Sequence, residues 1–157
     1  MATILCIEDE ATLRGDIAEE LEEAGHKVLQ AADGAAGLEI ILTQYPDLVI
    51  SDISMPVMNG FDLLKKVRAE RPDLANMPVI FLSALANRDD VVQGLKQGAD
   101  EYLTKPIDFT LLAAKVEALL RQSERVRQKK EEEATEQVKE YESRTGQKIS
   151  SDEVFWG

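Results

Sequence analysis

The sequence predicts an α/β protein: a doubly wound, five-stranded parallel sheet with helices on both faces. Two observations lead there. Across residues 1–120, short apolar runs alternate with stretches whose apolar residues recur every three or four positions, the pattern of repeated strand–helix units. Every run except the second is followed at once by a polar or charged residue, as a parallel sheet with a ligand site along its carboxyl edge requires. With 157 residues and 44% hydrophobic content, the chain has material for one domain of ordinary size plus an appendage.

The five runs are Thr3 to Ile7, Lys27 to Ala31, Leu48 to Ser51, Val79 to Leu82 and Glu101 to Thr104. Three are nearly all apolar, as strands covered on both faces must be. Leu13, Ile17 and Leu21 mark a first helix, which Gly25 ends because glycine accepts the left-handed conformation at little cost. A second helix runs from about Ala35 to Gln44 and is closed by Pro46, which disfavours helical geometry in the residue before it. A third follows Asn59-Gly60 with Leu63, Leu64 and Val67 facing inward. A fourth covers about Arg88 to Gln97, and a fifth begins near Asp108, whose side chain suits an N-cap.

The fifth helix pattern, Leu112, Val116, Leu119 and Leu120, runs into a charged stretch with no Pro or Gly before Gly146, so one long helix is expected. The domain organisation read from this is 1–121 for the α/β domain, 122–145 for a charged helical extension and 146–157 for an irregular tail. Val126, Ala134, Val138 and Tyr141 are sparse apolar positions in the extension. A coiled coil and a solvated helix supported by pairs such as Glu140 and Arg144 are both open readings. Phe155-Trp156 in the tail either docks or stays irregular.

The net charge is −12, from 30 acids and 18 bases, and argues against a general nucleic-acid or anionic-membrane surface. The acidity belongs to residues 1–120, with 21 acids and 10 bases, whereas 121–157 hold 9 and 8. Cys6 is the only cysteine, which excludes an intrachain disulfide and a cysteine-based zinc site. It reads as a packing residue in the first strand. No apolar run approaches the roughly 20 residues of a membrane span, and no signal core is present, so a cytoplasmic protein is expected. The glycines at 34, 37, 94 and 98 do not form a GxxxxGK[ST] phosphate loop. His26, after Gly25, reads as a surface residue without a role.

The loops after parallel strands emerge at one edge, so their residues belong together. After the first strand come Glu8, Asp9 and Glu10; after the third, Asp52; after the fourth, Ser83; after the fifth, Lys105-Pro106. Carboxylates gathered there repel one another near neutral pH unless a positive group sits among them. Oxygen ligands without histidine or thiol suit a hard cation, and Mg²⁺ takes one or two carboxylates plus waters and phosphate oxygens. Lys105 adds a point charge suited to a phosphoryl oxygen, and Ser83 a hydroxyl.

The strings Ile-Glu-Asp-Glu at 7–10, Asp-Ile-Ser-Met-Pro-Val-Met-Asn-Gly at 52–60, Leu-Ser-Ala at 82–84 and Tyr-Leu-Thr-Lys-Pro at 102–106 resemble the receiver domain of two-component response regulators. They fall in that family's order, and the resemblance covers about residues 2–121. It implies strand order 2-1-3-4-5 with five helices. It further implies that Asp52 is the phosphoacceptor and a ligand of Mg²⁺, or of Mn²⁺ in its place. Asp9 would be a direct metal ligand, the Ser54 backbone carbonyl a third, and Glu8 a partner acting through water. Lys105 would contact the phosphoryl group, while Ser83 and Tyr102 would occupy the two switch positions. The Lys105-Pro106 peptide would be cis, which proline tolerates. Two positions depart from the commonest pattern: Glu8 stands where many relatives have Asp, and Ser83 where Thr is commoner.

By the same resemblance a histidine kinase or histidine phosphotransfer protein donates the phosphoryl group, and the chain is not an enzyme beyond slow self-dephosphorylation. Homodimerisation through the face of the fourth helix, fifth strand and fifth helix, together with the C-terminal helix, is expected. Neither direct DNA binding by this chain nor a membrane partner is expected, because residues 122–157 are too short and too charged for a helix-turn-helix reader. Two alternatives stand beside this reading. One is a degenerate, phosphate-independent binding module; the other is an aspartyl-phosphate phosphatase, which would need a second acid where this chain has Ser54.

Overall fold

A computed structural model of the chain describes residues 2–84, 89, 92, 96 and 98–146. Strands β1 (Thr3–Ile7), β2 (Lys27–Ala31), β3 (Leu48–Asp52), β4 (Val79–Ser83) and β5 (Glu101–Thr104) form one parallel sheet in the order β2-β1-β3-β4-β5. Strands β3 and β4 each run one residue farther than the apolar pattern predicts. Asp52 and Ser83 keep ladder partners in Leu82 and Thr104. Both polar groups are therefore held by sheet backbone rather than by a loop.

Side chains alternate along each strand, and the two faces acquire separate cores. Leu5, Ile7, Val49, Val79 and Phe81 pack with α2 (Gly34–Gln44) and α3 (Gly60–Glu70) through Ile41, Leu63, Leu64 and Val67. Ile4, Cys6, Ile50, Ile80 and Leu82 pack on the other face with Ile17 and Leu21 of α1 (Ala11–Glu23) and Leu112, Val116 and Leu119 of a C-terminal helix (Phe109–Thr145). Helix α1 leaves β1 toward one face and α3 leaves β3 toward the other, so a crevice opens between the carboxyl ends of these adjacent strands.

The helix ends follow local chemistry. Gly25, at φ 97°, closes α1 in a Schellman arrangement: Gly25 N–H donates to Glu22 O at 2.9 Å and His26 N–H to Leu21 O at 3.1 Å. Tyr45, before Pro46, takes a left-handed φ of 48° and ends α2. Asp33, Asn59 and Asp108 each accept a backbone N–H in the first turn of the helix that follows. A 3₁₀ turn at Pro72–Leu74, unseen in the apolar pattern, leads toward β4. The helix expected over Arg88 to Gln97 falls almost entirely outside the described residues, as does the Phe155-Trp156 tail.

The chain divides into two compact units, Met1–Leu120 and Arg121–Gly157. The described part of the second is the remainder of the C-terminal helix, which ends at Thr145 before Gly146 at φ 73°. Within it, Arg127 pairs with Glu124 one turn away, and Val126 is 40% exposed. Among the described residues, no helix is long and apolar enough to cross a membrane.

Candidate functional site

The first strand delivers Glu8 and Asp9 to the crevice, and the third delivers Asp52. One carboxylate oxygen from each lies within 4.8 Å of the others. Their surroundings differ sharply: Glu8 is fully buried, Asp52 is 4% exposed, and Asp9 faces solvent. Gly60 lets the start of α3 lie against the backbone of Asp52, because a Cβ there would stand 2.6 Å from the Asp52 carbonyl and 3.2 Å from Ile53 Cα. Any other residue would push the start of α3 away from Asp52.

Lys105 enters from the end of β5, with Nζ at 2.5 Å from Glu8 Oε1 and 3.0 Å from Asp52 Oδ2. Its backbone N–H donates to Ser83 O at 2.7 Å, and the Lys105-Pro106 peptide is cis. Burial works against the ammonium, but the Glu8 and Asp52 carboxylates hold its pKa above the ordinary lysine value. Burial, and then the neighbouring Asp52 carboxylate, push Glu8 up to about 7, with Lys105 pulling the other way. Glu8 is expected from the sequence as a water-mediated metal partner. In the structure it lies deepest in the cluster, pairs directly with Lys105, and accepts the Asp9 N–H at 3.1 Å through Oε2.

Three carboxylates share one ammonium, and among the described residues no basic side chain pairs with Asp9. Carboxylates in excess of the lysine's charge once Glu8 is ionised, all-oxygen donors and an exposed Asp9 at the mouth suit a hard divalent cation with waters on its open side. Ser83 is buried at the end of β4. Tyr102 is half-buried in β5 against the core shared with α2 and α3. Ser54 lies exposed two residues past Asp52.

Two residues acquire contacts that the sequence pattern does not reveal. Arg14, in α1, donates to the backbone carbonyl of Glu8 at 2.7 Å. Because its acceptor is main chain, no complementary residue type signals the pair. His26 is not a free surface residue. Its side chain is 7% exposed, with Nδ1 accepting from Ala2 N–H at 3.3 Å and Nε2 at 2.6 Å from Glu117 Oε1, 91 residues away.

The model of the response regulator receiver domain family matches residues 4–117. The chain is 38% identical over 128 residues to the DNA-binding dual master transcriptional regulator RpaA of Synechocystis sp., covering 82% of this chain and 53% of that protein. It is 38% identical over 125 residues to the transcriptional regulatory protein AfsQ1 of Streptomyces coelicolor, covering 80% and 54%. Among solved structures, a CheY-like response regulator receiver domain protein from Methanospirillum hungatei superposes with a TM-score of 0.74 at 30% identity, covering 80% of this chain and 98% of the other. The receiver domain of Francisella response regulator 1452 gives 0.73 at 34% identity, covering 78% and 99%. The expectation of no direct DNA binding by this chain is corrected by the curated relatives, one of which is named a DNA-binding transcriptional regulator and the other a transcriptional regulatory protein. That expectation weighed the charge and length of 157 residues only, and the chain spans about half the length of the curated relatives it matches.

Proposed function

The chain belongs to the response regulator receiver domain family, and from that premise we propose that Asp52 accepts a phosphoryl group from a phosphohistidine on a donor protein. The observation that carries this reading is Lys105, seated between Asp52 and Glu8 while Asp9 opens to solvent beside them. An Asp52 carboxylate oxygen attacks phosphorus, the P–N bond to the donor imidazole breaks, and its electron pair stays on that nitrogen, which takes up a proton. The Lys105 ammonium, 3.0 Å from Asp52 Oδ2, stands where it neutralises charge on the transferring group. Glu8, Asp9 and Asp52 would hold Mg²⁺, or Mn²⁺ in its place, with the Ser54 carbonyl as a further ligand. Such an ion supplies positive charge to the phosphoryl oxygens when bound.

Ser54 supplies no acid two residues after the acceptor, so nothing there protonates a leaving group rapidly. The acyl phosphate then persists and serves as a signal, with self-dephosphorylation slow. Ser83, buried one residue beyond the ladder partner of Asp52, turns its hydroxyl toward the new phosphoryl oxygens, and Tyr102 follows into the space released. The relatives' names support transcription as the process controlled.

Incubation of the native chain and of Asp52→Asn with acetyl phosphate and Mg²⁺, followed by intact mass measurement, tests the reading. One phosphoryl mass on the native chain and none on the variant is expected. Equal mass gain in both, or rapid turnover of a generic phosphate ester, contradicts it.

A further inference from the structure

Arg14 stands in the first turn of α1 and is the only basic residue of that helix. Its guanidinium is held on two sides. Nη1 donates to the Glu8 carbonyl at 2.7 Å, and Nε donates to Gln30 Oε1 at 3.3 Å. Gln30 lies on β2, opposite Cys6 of β1, so the guanidinium runs from the neighbouring strand to the loop that carries the carboxylates.

The Glu8 carbonyl belongs to the Glu8–Asp9 peptide. A trans peptide is planar, so fixing its C=O also fixes the direction of its N–H. That N–H is the one Asp9 donates to Glu8 Oε2. The Glu8 N–H is already bound to Ala31 O at 3.0 Å, and Oε1 to Lys105. Arg14 therefore supplies the partner of the one remaining polar atom of Glu8.

We propose that Arg14 is a positioning residue, which sets the plane of the Glu8–Asp9 peptide and thereby aims the Glu8 and Asp9 carboxylates at a divalent cation. The inference rests on the metal-dependent reading of the site given above. Two roles for Arg14 differ in sign. As a bare positive charge near the cluster it repels a cation, and its removal strengthens metal binding. As a positioning group it organises the ligands, and its removal weakens binding.

The test uses the full chain and Mn²⁺ alone, with the dissociation constant read from the electron paramagnetic resonance signal of the free ion. Arg14→Ala is expected to weaken Mn²⁺ binding about tenfold. Gln30→Leu keeps every charge and removes only the orienting bond, and it is expected to weaken binding about threefold. Arg14→Lys keeps the charge but not the fork, and it should fall on the weakened side as well. Binding that is unchanged or tighter in Arg14→Ala and Gln30→Leu overturns the proposal. Should Arg14→Ala lose its far-ultraviolet dichroism, Gln30→Leu alone decides. A native chain that binds no Mn²⁺, or an Asp9→Asn variant that binds it as well as the native chain, overturns the metal reading itself.

Discussion

At the scale of the residue, Glu8 governs how the site responds to pH. Its pKa stands at about 7 against an ordinary value of 4.5, raised first by burial and then by the Asp52 carboxylate. Between these two values the folded, metal-free protein holds a proton that the unfolded chain has released. This contribution to stability is complete below the ordinary value and is lost as pH rises through about 7. A cation must displace that proton, so apparent Mg²⁺ affinity should rise with pH through about 7, and titration calorimetry in buffers of different ionisation enthalpy should detect proton release. Glu8→Gln should flatten this dependence. Cys6 offers a second check, because burial pushes its thiol up to about 12. Iodoacetamide at pH 8 should leave Cys6 unmodified in the native chain and alkylate it in denaturant. That Asp9, Asp52 and Lys105 lie together was legible because each follows or ends a strand of a parallel sheet. The pairing of Arg14 with a backbone carbonyl and of His26 with Glu117 was not, since neither leaves a local pattern.

Among the elements, the strands were readable from apolar runs and the helix ends from Gly25, Pro46, Asn59 and Asp108, because each acts through its own covalent structure. The extra residue on β3 and β4 was not readable, since a polar residue that continues a ladder looks like the first residue of a loop. The loop after β3 holds a conformation that sequence did not announce. Val57 is 89% exposed at φ 72°, a left-handed geometry that a β-branched side chain rarely adopts. Such a residue is disfavoured by about 1–3 kcal/mol, and asparagine tolerates the region better. Val57→Asn is therefore expected to stabilise the chain by about 1 kcal/mol and raise its melting temperature by about 2–4 °C in calorimetry. Gly60→Ala acts in the opposite direction. Its Cβ would meet the Asp52 carbonyl at 2.6 Å, so melting temperature and the rate of phosphoryl uptake from acetyl phosphate should both fall.

For the whole molecule, the family, the sheet order and the C-terminal helix running past the domain were all legible, because they follow from the periodicity and the strings at the strand ends. The DNA binding that the name of RpaA carries was not, because the chain spans about half the length of the curated relatives it matches. The charge of −12 describes the chain and says nothing of an effector. What unifies the molecule is the delivery of Glu8, Asp9, Asp52, Ser83 and Lys105 from four strand ends to one edge, with Asp52 as the proposed acceptor. Borohydride reduces an aspartyl phosphate to homoserine and leaves free carboxylates untouched, so it marks the acceptor directly. After incubation with acetyl phosphate and Mg²⁺, reduction and peptide mapping should place homoserine at position 52 alone. Homoserine at another aspartate, or none in a chain that has gained phosphoryl mass, would contradict the assignment of Asp52.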